Sequence, residues 1–184
     1  MSEHWDVLAQ DCAREARTFI ATITELSTGS APDATLSMTL LALSRVLVMG
    51  AHLGAVEDVI PEERFEADAG PDPELDPLRE NLANLFDGLD DYADVVDPLT
   101  NPSLTSGSLS NDLVGITSAL AHGLSHHDAG RELEALWWWQ FSYLSDWGER
   151  GAMALRVIHA LLAHVRLDVD ADLVAEAEFD ALHP

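Results

Sequence analysis

His122 and His126 stand four residues apart in a stretch of helical spacing, so both imidazoles project from one helix face. Two neutral imidazoles at that spacing can ligate a metal ion, and His127 adds nitrogen donors beside them. Gly123 occupies the position where a zinc-protease helix carries its glutamate, and with eight histidines in 184 residues such a pair arises readily by chance. A polar helix face is the favoured reading, and neither a metal nor a cofactor is expected. Arg156 and His159, three apart, form a second pair on the side of Leu155 and Leu162. Asp112 and Asp168 are candidate partners for the guanidinium. Asp112, Trp139, Arg156 and His159 define a candidate pocket in which Arg156 holds an anionic group and His159 acts as acid or base. The competing reading is a satisfied structural network of the same side chains.

The densest aromatic cluster is the run Glu134 to Tyr143, with three consecutive tryptophans, followed by Trp147. Neighbours on a helix lie about 100° apart, so Trp137, Trp138 and Trp139 cannot all face one core. Trp137 falls on a stripe with Leu133, Phe141 and Leu144, which leaves Trp138 or Trp139 at its edge or pointing away. An exposed indole there would anchor a partner, so Trp138, Trp139 and Trp147 are candidate interaction residues. Cys12 lies on an apolar helix face and reads as a small core residue. No nucleophile elbow and no glycine-rich phosphate loop occur.

The elements that must carry these residues are helical. Trp5, Leu8, Cys12, Ala16, Phe19, Ile23 and Leu26 recur at steps of three and four, predicting a helix over 3–27. Thr28 to Pro32 breaks it, and Asp33 is placed to cap a second helix to about Asp58. That second stretch is apolar nearly all round and predicts a central helix surrounded by neighbours, with Gly50 and Gly54 allowing close packing. Arg45 near its middle argues against a membrane span. The spacing of Leu78, Leu82, Leu85, Phe86, Leu89, Tyr92 and Val96 predicts a third helix. Ser108 is placed to cap a fourth, striped by Leu109, Leu113, Ile116, Leu120 and Leu124. The Trp-rich helix, a break at Trp147-Gly148, a helix bearing Leu155, Ile158, Leu162 and Val165, and a short acidic helix over 170–182 complete the reading. The fold class is therefore all-α: one domain over 1–184, a bundle of about six to seven helices. A mobile acidic loop is expected at 59–77 and a second loop at 97–107.

Charge bounds the function. The chain has 33 acidic residues against nine basic ones, a formal net charge of −24, and all nine bases are arginine. Residues 57–97 hold 15 acids and two arginines, −13 of that total. Such a field repels phosphate backbones and anionic headgroups, so neither direct nucleic-acid binding nor a membrane is expected. One cysteine excludes an internal disulfide, and the first residues lack a basic leader and an apolar signal core, which predicts a cytoplasmic protein.

Three short segments carry a resemblance. Ser108-Leu109-Ser110-Asn111-Asp112-Leu113, the run Ala135 to Phe141 with Trp147-Gly148, and Ala154-Leu155-Arg156-Val157-Ile158-His159 together resemble a bacterial family of small helical proteins, frequent in actinobacteria and defined only as a domain of unknown function. The likeness covers about residues 105–165 and, more loosely, the first half. Its pattern matches Asp112, Trp137, Trp147, Arg156 and His159 and does not include the His122/His126 pair. It implies a helical fold and supplies no activity. Separately, Glu63 and Glu66 are similar to one half of the paired acids of all-α, magnesium-dependent nucleotide pyrophosphatases, but no second pair accompanies them on a well-formed helix. The favoured function is a non-enzymatic helical protein-interaction or regulatory module with a protein partner, a homo-oligomer remaining open. The alternative is a small-molecule or nucleotide-processing enzyme with its pocket near Asp112, Trp139, Arg156 and His159.

Overall fold

The computed structural model describes residues 3–61, 65–68, 70–71, 73–97 and 99–167. Helix α1 (Glu3–Ser27) buries Cys12, Ala16, Phe19, Ile23 and Leu26, the face that its periodicity marks. Gly29, at φ 71°, turns the chain; only a residue without Cβ adopts that conformation freely. A single 3-10 turn over Pro32–Ala34 leads into α2 (Thr35–Ala55), so Asp33 lies in that turn and the capping position falls to Ala34.

Helix α2 corrects the expectation of a fully surrounded element. Thr39, Leu43, Val46, Met49, Gly50 and Leu53 are buried against α1, the Trp-rich helix and the last helix, but Met38, Leu41 and Val48 face outward. Arg45 lies on that outer face and makes a two-pronged pair with Glu15 of α1, both bonds at 3.1 Å. Its charge is thus satisfied at the surface, where a fork-shaped guanidinium and a carboxylate match in geometry. Close packing at the glycines holds: a Cβ on Gly50 would lie 2.4 Å from the Tyr143 ring and 2.6 Å from that of Trp147.

Helix α3 (Asp76–Leu85) starts with Pro77 in its first turn and buries Leu78 and Leu82. The helix expected through Val96 ends there. Strand β1 (Asp91–Asp97) pairs antiparallel with β2 (Asn101–Ser108), pairing Asp91 with Ser108 and Tyr92 with Gly107. The predicted loop at 97–107 is therefore mostly the second strand of a hairpin. Its spacing misled because Leu89, Tyr92 and Val96 satisfy a period of 3.6 by coincidence, while Thr, Ser and Asn in the partner strand leave no alternating apolar signal.

Helix α4 (Leu109–Asp128) is the hub, packing against α1, α3 and the two helices that follow it. Ser108 caps it as expected, accepting from the Asn111 amide. Asp90 adds a second acceptor, taking bonds from the Ser110 amide at 2.7 Å and from the Ser108 and Ser110 hydroxyls. A carboxylate at this end is favoured by the amides and the helix dipole together. Helix α5 (Glu132–Ser142) and α6 (Gly148–Leu167) follow. The expected break at Trp147-Gly148 is instead a π turn (Tyr143–Trp147), and the rod continues through it. A Cβ on Gly148 would lie 2.5 Å from the Tyr143 carbonyl oxygen, so glycine fits the widened turn. The described residues thus form five helical rods and one hairpin, largely helical but fewer helices than predicted. The terminal helix expected at 170–182 lies outside the described residues.

Candidate functional site

The sequence-predicted pocket residues separate. Trp139 and Trp147 are both 0% exposed. Trp139 donates from Nε1 to the Leu120 carbonyl, and Trp147 from Nε1 to the Ser142 hydroxyl. Trp138 is half-buried, with its N–H donated to the Ala119 carbonyl at 2.9 Å. Trp138 and Trp139 thus sit in the seam with α4 while Trp147 packs beside Gly50 of α2, and the exposed large side chains of this stretch are Phe141 and Leu144. The stripe chosen from sequence ran on the wrong side of α5. The buried set is Glu134, Ala135, Leu136, Trp139, Gln140 and Ser142.

Asp112 is buried, while Arg156 and His159 are exposed on α6. The partner of Asp112 is Arg150, whose Nη1 lies 3.5 Å from Oδ1; Asp168 is outside the described residues. The Tyr92 hydroxyl donates to Asp112 Oδ2 at 2.5 Å, which ties the hairpin to α4. Burial raises the Asp112 carboxyl above its ordinary range despite the Tyr92 bond and the Arg150 charge, which pull it down. The Tyr92 phenol is raised too, by burial first and then by the bond to Asp112. Arg150 also donates to Asp146 at 2.7 Å and lines a polar cleft of about 720 Å³ with Arg79, Asn111 and Asp146. Arg156 lines a different, smaller hollow, so the four residues of the predicted pocket share no cleft.

Gln140 has a role that spacing did not reveal. Its amide group donates to the Leu53 and Glu57 carbonyls and accepts from the Val59 amide, closing the C-terminal end of α2 from 81 to 87 residues away. It also pins the start of the acidic segment to the bundle.

The same segment returns to the bundle at a cluster that brings the set-aside histidine pair back. Oε1 of Glu66 lies 2.6 Å from His122 Nε2 and 3.0 Å from His126 Nε2. The three ligand-type atoms are within 4.8 Å of one another. His126 is fully buried, and its Nδ1 accepts from Arg131 Nε at 3.3 Å. Arg131 also donates to the Asp68 carbonyl. The Trp138 ring lies against His122, with ring centroids 4.1 Å apart and the planes tilted by 38°. Burial pushes the Glu66 carboxyl up, but the hydrogen bonds and charges of the two histidines outweigh it and hold the group below the ordinary range. Glu63, its sequence neighbour in the acid pair, lies outside the described residues. Nothing in the sequence linked Glu66 to helix α4, because 56 and 60 residues separate it from the two imidazoles.

A third feature is the outer face of α1 and α2. Met38, Leu41 and Val48 stand 40%, 56% and 56% exposed along α2. Two clefts flank the Arg45–Glu15 pair: one of about 450 Å³ includes Cys12, Val48, Met49 and His52, and one of about 190 Å³ includes Phe19, Met38 and Leu41.

Helical rods around α4, with a hairpin tied to its first turn, define the class of this protein. The chain belongs to the family of the domain of unknown function DUF5063, whose family model matches residues 3–164. In fold it is similar to the crystal structure of protein BF1032 from Bacteroides fragilis, with a TM-score of 0.66 and 18% identity, covering 87% of this chain and 92% of that one. None of the curated proteins matches the chain.

Proposed function

We propose that the protein is a non-enzymatic, cytoplasmic interaction module that docks a second copy of itself through the outer face of α1 and α2. The observation that carries this reading is the apolar ridge of Met38, Leu41 and Val48 beside the two clefts. Contiguous exposed apolar surface of this kind marks association sites more often than it marks idle surface. Charge selects the occupant. Residues 3–55 carry six acids and three arginines, −3 of the −24, so two like-charged copies can approach here more cheaply than anywhere over 57–97. Arg45 and Glu15 sit together at the centre of the face, and a two-fold axis through it would set each guanidinium near the partner's carboxylate. The enzyme alternative has less support, since Arg156 and His159 sit apart from Asp112 and Trp139.

Sedimentation velocity over a wide concentration series tests this. The expected result is a dimer that dissociates in Leu41→Glu and in Val48→Glu while circular dichroism shows each monomer still folded, because both positions are exposed. A monomer at every concentration would overturn it. An 18-residue window within Pro32–Ala55 has a mean hydropathy of 1.6, and the stretch is long enough to cross a bilayer. Co-flotation with neutral phosphatidylcholine vesicles, lost in the same variants, would therefore reassign the face to lipid.

A further inference from the structure

The geometry points to a divalent transition-metal site, best suited to zinc, formed by Glu66, His122 and His126. It is independent of the α1–α2 face and needs no partner. Two imidazoles and one carboxylate are a donor set that zinc takes with a fourth position left for water or a small anion. Zinc bonds of about 2.0–2.2 Å around a tetrahedral centre separate ligand atoms by roughly 3.3 Å. Glu66 Oε1 already stands 2.6 and 3.0 Å from the two Nε2 atoms. An ion therefore requires the carboxylate oxygen to part from each imidazole by less than ~1 Å, at a place where all three ligand atoms already lie within 4.8 Å of one another.

Much of the ordering is in place before an ion arrives. His126 is fixed by complete burial, His122 by the Trp138 ring against it, and both by their i, i+4 positions on α4. Glu66 is an ionised carboxylate in the most acidic part of the chain, where a dication relieves repulsion. An ion at this point would clamp the segment between Val59 and Asp76 to the hub helix.

One neighbour opposes this. Ligation through Nε2 requires the imidazole proton to sit on Nδ1, and a ligating histidine normally donates that proton to an acceptor. At His126 the group facing Nδ1 is Arg131, a cation with no acceptor. Arg131 must swing away from Nδ1, and each Nε2 must give up its proton before it can ligate the ion. Arg131 is thus a residue that tunes affinity downward. Replacing it with glutamine would supply a carbonyl acceptor for the Nδ1 proton.

The test is isothermal titration with zinc chloride in excess magnesium, which occupies indifferent carboxylates, alongside the visible spectrum of the cobalt(II) form. Wild type is expected to bind one equivalent and to show intense tetrahedral cobalt bands. Glu66→Gln and His122→Ala, at partly exposed positions, should each weaken zinc at least tenfold and abolish the bands, while Arg131→Gln should tighten it by about tenfold. Circular dichroism checks that each variant is folded. Zinc that binds wild type and both ligand variants alike, or that does not bind wild type, overturns the site.

Discussion

A Cβ on Gly123 would lie 2.0 Å from Nε1 of Trp139, inside any tolerable contact. The indole crosses the backbone of α4 there and donates to the Leu120 carbonyl one turn earlier. Gly123, which in sequence marks the missing glutamate of a zinc-protease helix, is thus the notch that admits the largest buried ring of α5.

Gly123→Ala should therefore destabilise the protein, although alanine favours helix over glycine by about 1 kcal/mol. Trp139 is wholly buried and cannot swing aside, so overpacking of about 1–3 kcal/mol or more outweighs that gain. Urea unfolding followed by tryptophan fluorescence measures it. A variant as stable as wild type would mean that the α4–α5 seam opens without loss.

Tyr92→Phe removes the donor that holds Asp112 and should cost about 1–2 kcal/mol near neutral pH, in the lower range for bonds to charged groups. The sign of its pH dependence follows from the raised Asp112 carboxyl. A carboxyl with a folded value above its unfolded value, near 4, holds its proton longer in the fold. Its ionisation subtracts nothing from stability below pH ~4, progressively more up to the folded value, and a constant amount above that. Losing the Tyr92 bond raises the folded value further, so the deficit of the variant should grow from pH ~4 towards neutrality. Urea midpoints of both proteins across that range decide it; a deficit independent of pH would show that the hydroxyl does not serve the ionised carboxylate.

Cys12 should be chemically silent in the native protein. Burial first, then the charges of Asp11 and Glu15, push its thiol up to about 12. The fold keeps the proton that the unfolded chain releases near pH ~8.5, so this contribution is complete below that pH and is lost as pH rises through the folded value. Iodoacetamide at mildly alkaline pH, read by mass, should modify the urea-unfolded chain orders of magnitude faster than the native one. Rapid native alkylation would show instead that the neighbouring cleft reaches the sulfur.

Those three positions differ in how far the sequence announced them. The burial of Cys12 follows from its place in a clean stripe with Ala16, Phe19 and Ile23, since a helix with one apolar face has only one side to turn inward. The Ser108 cap was readable for the same local reason: a hydroxyl three residues before a free amide needs nothing distant. Helix α5 offers no such asymmetry. It is apolar on every side, and the choice of Trp139 over Phe141 for the core was made by Gly123, a residue on another helix. The α1 and α4 stripes, the acidic middle of the chain and the class of largely helical fold were therefore determined by the sequence alone, because periodicity and charge are local quantities. Pairing Tyr92 with Asp112, setting Gln140 on the end of α2, turning Leu41 and Val48 outward and bringing Glu66 to His122 and His126 were decided by the tertiary structure. Each joins segments tens of residues apart, and no periodic pattern carries the position of a partner that far.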